Sequence, residues 1–438
     1  MTSTEWNDIR LKNLFTSVRN GTWGDEPDGQ SDVFCARGTD FNRTTSRITA
    51  VRMPRRSVAP AARRDHQLSR GDLVIEKSGG SADQPVGSVA LFDLDVPTVC
   101  SNFNARMQVS SSIDSRFACY LLNGLYWSGF TRRFIKQTTG IQNLDAEALL
   151  AVHCIIPPLD EQRRIADFLD AETARIDQTA ALHETARAAL LERRATAVFG
   201  AVLGVSFQDR IPSTLAWAKT LPAHWHGIKL GHVARMGSGH TPSRSKPEWW
   251  EDCTIPWITT GEVSQVRDDR REFLTKTRER ISELGMANSS AELHPKGTVV
   301  LCRTASAGYS AVMGDDMATS QDFVTWTCGS RLDPLYLLWC LRAMRSDLLG
   351  RLAMGSTHKT IYVPDLQMLR IPLPPVQEQK QIVESIRTAN KAIDAAVDVI
   401  DRQLSLLTER RNALITAAVT GQFDVTTAGR APLSGGTE

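Results

Sequence analysis

One helical segment of this chain is written twice, 217 residues apart. The first copy begins PPLDEQRRIADFL at Pro157, and the second begins PPVQEQKQIVESI at Pro374. The same register holds at the far end, where LLERRATAVFGAVLG (190–204) matches LTERRNALITAAVTG (407–421). A register kept for about 45 residues indicates duplication or selection for two copies of one shape, and a period this long excludes a solenoid. The chain therefore consists of two half-proteins in series.

Both copies predict long helices that pair as a coiled coil. Each follows a Pro-Pro pair and ends at a glycine, Gly204 or Gly421. Apolar residues recur every seven positions, which is the coiled-coil repeat. His183 is expected to be a tolerated polar core residue that sets the register. The predicted core positions are Leu169, Ile176, His183, Leu190, Ile386, Ile393, Ile400, Leu407 and Leu414. Because a long globular segment connects the two copies, we expect them to run antiparallel.

The segments outside the helices are rich in short strands. Runs such as DLVIEKSG (72–79) and TVVLCRTASAG (298–308) alternate with turn residues. The two segments echo each other, since RGDLVI (70–75) resembles KGTVVL (296–301), but the residues between diverge. We therefore predict an α+β fold with a pseudo-twofold internal repeat and an antiparallel coiled coil. The predicted parts are a first globular domain at 1–156, a helix at 157–204, a linker at 205–225, a second globular domain at 226–373, a helix at 374–421 and a disordered tail at 422–438.

Composition narrows the class of protein. The formal net charge is only +2, so a nucleic-acid-binding chain of this kind must gather its basic residues into local patches. The eight cysteines form no C-x-x-C pair, which argues against a zinc site and against a disulfide framework. The first residues, MTSTEWNDIRLKN, lack the apolar core of a secretion signal, and no run is long and apolar enough to cross a membrane. We expect a cytoplasmic protein with no metal site.

A search for catalytic motifs gives no convincing centre. The sequence has no phosphate-binding P-loop, no G-x-G-x-x-G turn and no H-E-x-x-H pair. The nearest match to a nuclease motif is Asp72 with Glu76 and Lys77, but the lysine comes one residue too early. Glu161 and Glu378 lie in first helical turns, where carboxylates complement the helix dipole. We therefore expect no catalytic residue on this chain.

Basic and polar residues cluster at matching places in both globular segments. One cluster lies at 131–143, its counterpart lies at 350–360, and a third lies at 241–250 beside two tryptophans. Arginine and lysine neutralise phosphates, and arginine pairs with guanine as asparagine and glutamine do with adenine. A single cluster is more often a solvated surface, but the recurrence favours nucleic acid. The candidate DNA-binding residues are Arg132, Arg133, Lys136, Gln142, Asn143, Arg244, Lys246, Arg303, Arg351, His358 and Lys359.

The repeated P-P-x-x-E-Q-x-x-I helix and the segment GSGHTPSRSKPEWWEDCTIPWITTGEVS (237–264) resemble the specificity subunit of type I restriction–modification systems. The resemblance spans nearly the whole chain and is loosest at 20–42. It implies that the two globular domains are target-recognition domains, each reading one half of a split DNA site in the major groove. It also implies an antiparallel coiled coil that sets the spacing of the half-sites and docks two methyltransferase subunits.

The resemblance also implies what the chain itself lacks. The specificity subunit of this family has no catalytic centre, so S-adenosylmethionine is expected on the methyltransferase partners and ATP on a restriction subunit. An assembly that only methylates would need the same chain without the restriction subunit. The alternative from another class is a coiled-coil adaptor that joins protein partners without reading DNA. The polar clusters in both globular segments favour the DNA-reading interpretation.

Overall fold

The computed structural model describes residues 6–137, 140–355 and 359–425. The chain divides into two compact units. Unit 1 comprises Met1–Glu184 and Arg402–Glu438, and unit 2 comprises Thr185–Asp401. Each unit holds one globular domain together with part of each long helix. We call residues 6–156 globule 1 and residues 226–373 globule 2.

Globule 1 is built from short strands and three helices. Its helices are α1 (Pro60–His66), α2 (Ser115–Trp127) and α3 (Ala146–Leu150). Its strands are β1 (Asn7–Arg10), β2 (Phe15–Asn20), β3 (Asp32–Ala36), β4 (Phe41–Asn42), β5 (Arg47–Ile48), β6 (Arg55–Ser57), β7 (Leu73–Glu76), β8 (Ser78–Gly79), β9 (Val89–Leu91), β10 (Thr98–Cys100), β11 (Asn104–Val109), β12 (Ile135–Gln137), β13 (Gln142–Leu144) and β14 (His153–Ile156). The first long helix, α4 (Leu159–Val202), follows.

Unit 2 repeats this plan after a short hairpin. The hairpin strands are β15 (Arg210–Pro212) and β16 (Thr220–Pro222). The strands of globule 2 are β17 (His226–Lys229), β18 (Ala234–Ser238), β19 (Ile255–Ile258), β20 (Phe273–Leu274), β21 (Glu279–Ile281), β22 (Val299–Cys302), β23 (Ser310–Met313), β24 (Ala318–Thr319), β25 (Phe323–Cys328), β26 (Ala353–Met354), β27 (Thr360–Ile361) and β28 (Arg370–Leu373). Its helices are α5 (Glu283–Ala287), α6 (Pro334–Ala343), α7 (Arg345–Asp347) and α8 (Val363–Gln367), and the second long helix is α9 (Val376–Val419).

The main sheets of the two globules share the topology of five strands, and the sheet of globule 1 has one further strand at its edge. In globule 1 the order is β2-β11-β7-β9-β5-β4, and in globule 2 it is β18-β25-β22-β23-β20. The central pairs are antiparallel in both, whereas β5 with β9 and β20 with β23 are parallel. The smaller sheets also correspond, β10-β3-β6 with β24-β19-β21 and β1-β14 with β17-β28. The predicted α+β fold with an internal repeat is confirmed.

Within each unit the two long helices run antiparallel. In unit 1 Asp177 pairs with Arg411 while the earlier Leu169 packs in one core with the later Ile415. In unit 2 Arg187 pairs with Asp401 and the later Arg194 pairs with the earlier Asp394. Among the predicted core positions, Leu169, Ile176, Ile386 and Ile393 are buried. The half-buried positions are His183, Leu190, Ile400, Leu407 and Leu414.

Each globule packs its longest internal helix between the main sheet and the long helices. In unit 1 the buried core joins Phe117 of α2 to Leu169 of α4 and Ile415 of α9. In unit 2 it joins Leu337 of α6 to Val202 of α4 and to Ile386 of α9, among other residues. The buried residues of α2 and α6 form continuous runs, 117–124 and 336–342, as expected for helices that are enclosed on most sides.

The segment at 205–225, expected to be a linker, carries its own small core. Leu215, Leu221 and Trp225 are buried there around the β15–β16 hairpin. Of the expected tail, residues 422–425 are described, and 426–438 lie outside the described residues.

Candidate nucleic-acid interface

The glutamine of the repeated motif fastens each globule to its long helix. The buried Gln162 accepts from the backbone N–H of Asp114, at the start of α2, and donates to the carbonyl of Pro157 (both 2.9 Å). Gln379 makes the equivalent bonds, accepting from the N–H of Asp333 at 2.8 Å and donating to the carbonyl of Pro374 at 2.8 Å. A buried amide can satisfy a helix start and a chain turn at once, which explains why the motif is written twice.

The glutamate of the motif binds a tryptophan at the entry of each globule. The indole N–H of Trp6 donates to Glu161 (3.3 Å), and the indole N–H of Trp225 donates to Glu378 (2.8 Å). The glycines that end the long helices lie against the rings of these two tryptophans. A Cβ added to Gly421 would meet the ring of Trp6 at 3.1 Å, and one added to Gly204 would meet the ring of Trp225 at 2.8 Å. The two glutamates therefore anchor the globules, a role that the helix-dipole interpretation missed.

Lys77 follows the buried central strand β7 of globule 1. Its backbone N–H donates to the carbonyl of Phe103 (2.8 Å), and its carbonyl accepts from the N–H of Leu144 in the hairpin strand β13 (2.7 Å). The ammonium group donates to the side-chain oxygen of Asn20, at the end of β2. Lys77 thus lies where three strand ends meet, and burial lowers the pKa of its ammonium group.

Arg303 holds the same place in globule 2. It follows the buried strand β22, its N–H donates to the carbonyl of Asp322, and its carbonyl accepts from the N–H of Ile361 in β27 (both 2.8 Å). The guanidinium Nε donates to the carbonyl of Gln321 (2.9 Å). Lys77 was not among the predicted DNA-binding residues. The similarity of 70–75 to 296–301 could have identified it, because continuing that alignment by two residues places Lys77 opposite Arg303.

The hairpin beside Lys77 carries three of the predicted residues. Lys136 lies opposite Asn143 in the β12–β13 register. Lys136 Nζ is 2.7 Å from the carboxylate of Asp145, and this hydrogen bond raises the lysine pKa. Asn143 is exposed and accepts from the hydroxyl of Ser78 (2.7 Å). Gln142 is buried.

The amide of Gln142 is occupied inside globule 1. Its oxygen accepts from the N–H of Val86 (3.2 Å), and its nitrogen donates to the carbonyl of Ser81 (3.2 Å). The side chain therefore supports the 81–86 turn in this structure. Arg132 and Arg133 are exposed nearby, the latter over the ring of Phe130 at 5.1 Å.

The matching region of globule 2 is less basic than the sequence indicates. Arg351 forms a two-point ion pair with Asp347 (2.7 and 3.0 Å), which raises the arginine pKa. Lys359 is exposed in the segment leading into β27. His358 lies outside the described residues.

The third predicted cluster lies on a different part of globule 2. The guanidinium of Arg244 stacks on the ring of Trp250 (3.8 Å) and pairs with Glu279 (2.6 Å). Lys246 is exposed just before the short turn that holds Trp250. Stacking and pairing hold Arg244 in place, so its charge is already compensated within the globule.

Other kinds of site find no support in the described residues. Among residues 6–137, 140–355 and 359–425, no three or more His, Cys, Asp or Glu side chains group as a metal site requires. Asp72, a member of the rejected nuclease motif, pairs with Arg106 at 2.7 Å, and Glu76 pairs with Arg43 at 2.8 Å. None of the described helices combines the length and the apolar character that a membrane crossing needs.

A model of a known protein family matches both halves of this architecture. The model of the type I restriction modification DNA specificity domain matches residues 4–190 and again residues 222–397. The chain belongs to this family. Each match covers one globule and part of the long helix that follows it.

Individual relatives give the same family. The chain is 28% identical over 164 residues to the type I restriction enzyme MjaIX specificity subunit of Methanocaldococcus jannaschii, covering 37% of each chain. It is 24% identical over 182 residues to the EcoR124I/EcoR124II specificity subunit of Escherichia coli, covering 40% of this chain and 44% of that one. These matches span less than half of the length of either relative.

The fold is also similar to that of a solved chain. That chain comes from a structure described as the basis of complex assembly and conformational transition of the type I R-M system. The two chains align with a TM-score of 0.68 at 19% identity, covering 96% of this chain and 98% of that one. At this identity the likeness concerns the fold.

Proposed function

We propose that this chain is the DNA-specificity subunit of a type I restriction–modification complex, and that each globule reads one half of a bipartite duplex site. The observation that carries the proposal is the contrast between scaffold and surface. The two globules share one sheet topology and one joint to the helices. Their hairpin residues differ, as with Lys136 and Asn143 against Met354 and Thr360. One scaffold with two surfaces suits the recognition of two different sequences.

The repeated helices suit a partner that is present twice. Two copies of the same helical motif offer two copies of one docking surface, and we assign these to two methyltransferase subunits. The length of the helices would set the spacing between the half-sites. A restriction and translocation subunit would be a further partner in a complex that also cleaves DNA. Such a chain would act in the cytoplasm, where the free thiols of its eight cysteines are stable.

In this assignment the chain is a recognition subunit without catalysis of its own. S-adenosylmethionine would be held by the methyltransferase subunits and ATP by the restriction subunit. The residues of this chain would then orient the duplex and select its sequence through contacts to phosphates and base edges.

A domain exchange tests the function. Residues 226–373 are replaced by the matching domain of a related specificity subunit, and the chimaera is produced with its methyltransferase partners. Mapping of methylated positions in the host DNA should show one altered half-site and one unchanged half-site. The matched control exchanges residues 1–156 and should alter the other half only. An adaptor that does not read DNA would leave the methylated sequence unchanged in both chimaeras.

A further inference from the structure

We propose that Lys77 and Arg303 are the equivalent DNA-reading cations of the two globules, and that Arg303 reads a guanine in the half-site of globule 2. The inference rests on the DNA-reading function proposed above and adds the side chains that carry it. Within the described residues three features support it: a shared backbone position, two guanidinium nitrogens of Arg303 without a partner, and the lack of a carboxylate beside either cation.

The backbone position is the same in both globules. Each cation follows the buried central strand and is bonded on one side to the neighbouring strand end and on the other to the hairpin. The two residues after each cation are also similar. The first carries a hydroxyl group, and the second, Gly79 or Ala305, has a positive φ (113° and 55°). Two different sequences thus hold a cation at one point of one scaffold.

The surrounding positions of that scaffold do not keep their chemistry. Lys136 of β12 corresponds to Met354 of β26, because each is the second paired residue of its hairpin strand. Gln142 corresponds to Lys359, because each lies two residues before the residue whose N–H bonds the carbonyl of the cation, Leu144 or Ile361. Of the three pairs of positions compared here, only that of Lys77 and Arg303 carries a cation in both globules.

The donors of Arg303 suit a guanine. Its Nε is held by the carbonyl of Gln321 at 2.9 Å, which fixes the plane of the guanidinium. The terminal nitrogens Nη1 and Nη2 have no hydrogen-bond partner among the described residues. Two parallel N–H donors in a fixed plane match the O6 and N7 acceptors of guanine in the major groove. Lys77 supplies a single point charge held by Asn20, which suits one acceptor on a base or phosphate.

The two cations also differ in charge balance from three of the other predicted cations. Lys136, Arg244 and Arg351 each pair with a carboxylate of their own globule. In the part of the chain that the structure describes, neither Lys77 nor Arg303 has a carboxylate within 4.0 Å of its charged nitrogens. A half-buried cation without a counter-charge is poised to bind an anionic or acceptor-rich ligand, and a duplex groove offers both.

The test uses the full chain assembled with its methyltransferase partners. The variants are Arg303→Ala, Arg303→Lys and Lys77→Ala. The controls are Lys296→Ala and Arg70→Ala, which remove cations from the opposite ends of the same two strands. Methylation rates are measured on duplexes that carry each single base change in each half-site, and hydrogen exchange of β22 and β7 checks that every variant is folded.

We expect Arg303→Ala to lower discrimination at one guanine of one half-site by roughly 10- to 100-fold, with the other half-site unchanged. Arg303→Lys should lose the same discrimination although the charge is kept, and replacing that guanine by 7-deazaguanine should mimic the variant. Lys77→Ala should weaken discrimination only in the other half-site. Both controls should keep the discrimination of the unmodified complex.

Three results would overturn the inference. Equal weakening of all sequences by Arg303→Ala would make this residue a phosphate contact and end the guanine assignment. Unchanged methylation would remove the residue from the interface. Effects of one variant on both half-sites would mean that the position does not belong to one half-site. The function itself would still stand in these cases if the domain exchange alters a single half-site, and it would fail only if that exchange changes nothing.

Discussion

The two junctions between globule and helices share an ion pair with a buried arginine, but different groups surround that arginine. Arg411 of unit 1 and Arg194 of unit 2 are equivalent in the 217-residue repeat, as are their partners Asp177 and Asp394. The N–O distances are 3.4 Å and 3.1 Å, and both arginines are buried. In unit 1 the guanidinium of Arg411 lies under an aromatic ring, that of Trp127, at 5.4 Å.

In unit 2 a charged loop replaces the aromatic ring. Arg194 donates to the carbonyls of Asp268 (3.3 Å) and Asp269 (2.9 Å), in the loop RDDRRE at 267–272. Asp269 also pairs with Arg342 (3.3 Å) and Arg345 (2.7 Å) of globule 2. Burial lowers the pKa of Arg342 to about 10, so this side chain stays charged at neutral pH.

The sequence difference behind this contrast lies on the short helix of each globule. An offset of 216 residues aligns Tyr120 with Tyr336, and the same offset places Ala343 where unit 1 has Trp127. Ala343 and Arg194 both line an open cleft of about 1140 Å³ in unit 2. One backbone joint can therefore be filled by an aromatic ring or by a polar network. The polar network depends more strongly on each of its members, because a buried group left unpaired is costly.

The largest expected effect is on the free energy of unfolding of unit 2, and it distinguishes the junction of unit 2 from that of unit 1. Arg342→Met removes a buried guanidinium that donates to three carbonyls, those of Asp269, Arg271 and Ser310 (2.8, 2.6 and 3.3 Å). Loss of one partner of a buried ion pair costs about 3–5 kcal/mol, so unit 2 should be destabilised by that amount. Urea unfolding followed by hydrogen exchange, read separately for peptides of each unit, measures the change.

The equivalent residue of unit 1 supplies the control for this experiment. Tyr126 donates its hydroxyl to the carbonyl of Pro85 at 2.9 Å. Tyr126→Phe should cost only about 1 kcal/mol, because one hydrogen bond is lost without an unpaired charge. Similar losses in the two units would mean that the charged loop adds nothing to the attachment of globule 2.

The second prediction concerns what the junctions share. Gln162→Leu and Gln379→Leu leave the helix-start N–H groups of Asp114 and Asp333, which are half-buried, without their acceptor. Each variant should lower the free energy of unfolding of its own unit by about 2–3 kcal/mol. Exchange of the amides at the starts of α2 and α6 reports the two effects. A loss in one unit only would contradict the view that the repeated motif does the same work twice.

A charge reversal should work in one junction and fail in the other. In unit 1, Asp177→Arg combined with Arg411→Asp keeps the ion pair and should recover most of the stability lost by either single change. In unit 2, Asp394→Arg combined with Arg194→Asp removes the donor to two loop carbonyls. We expect recovery to be poorer there by about 1–2 kcal/mol. Unfolding midpoints of the four single and two double variants decide it, and equal recovery would show that the loop carbonyls do not need Arg194.

The helices could be predicted from the sequence because their signals are local. Heptads, the Pro-Pro starts and the glycine ends place them at 157–204 and 374–421, within two residues of Leu159–Val202 and Val376–Val419. Their partners could not be predicted in this way. The bond of Trp6 to Glu161 joins residues 155 positions apart, and no local pattern marks it.

The candidate interface was harder to predict for a different reason. Residue type indicates what a side chain can bind, but it does not show whether the protein already uses that capacity. The amide of Gln142 is hydrogen-bonded to the 81–86 turn, and the guanidinium of Arg351 is paired with Asp347. Lys77, which was passed over, lies at the point where the strand ends meet. Comparison of the two halves identifies such positions better than residue chemistry alone.

The smallest expected effect lies on the helices away from either globule. In unit 2 Arg187 donates to Asp401 at 2.6 Å, but both side chains are more than a third exposed, at 38% and 46%. Their repeat counterparts in unit 1, Glu184 and Leu404, cannot form such a pair. Water and salt screen a pair this exposed, and its coupling should be about 0.2–1 kcal/mol. A double-mutant cycle with Arg187→Ala and Asp401→Ala, run at low and high salt, measures it. A coupling as large as that of the buried pairs, or one insensitive to salt, would mean that the antiparallel contact in unit 2 depends on this pair, and the asymmetry between the units would then extend from the junctions into the helices.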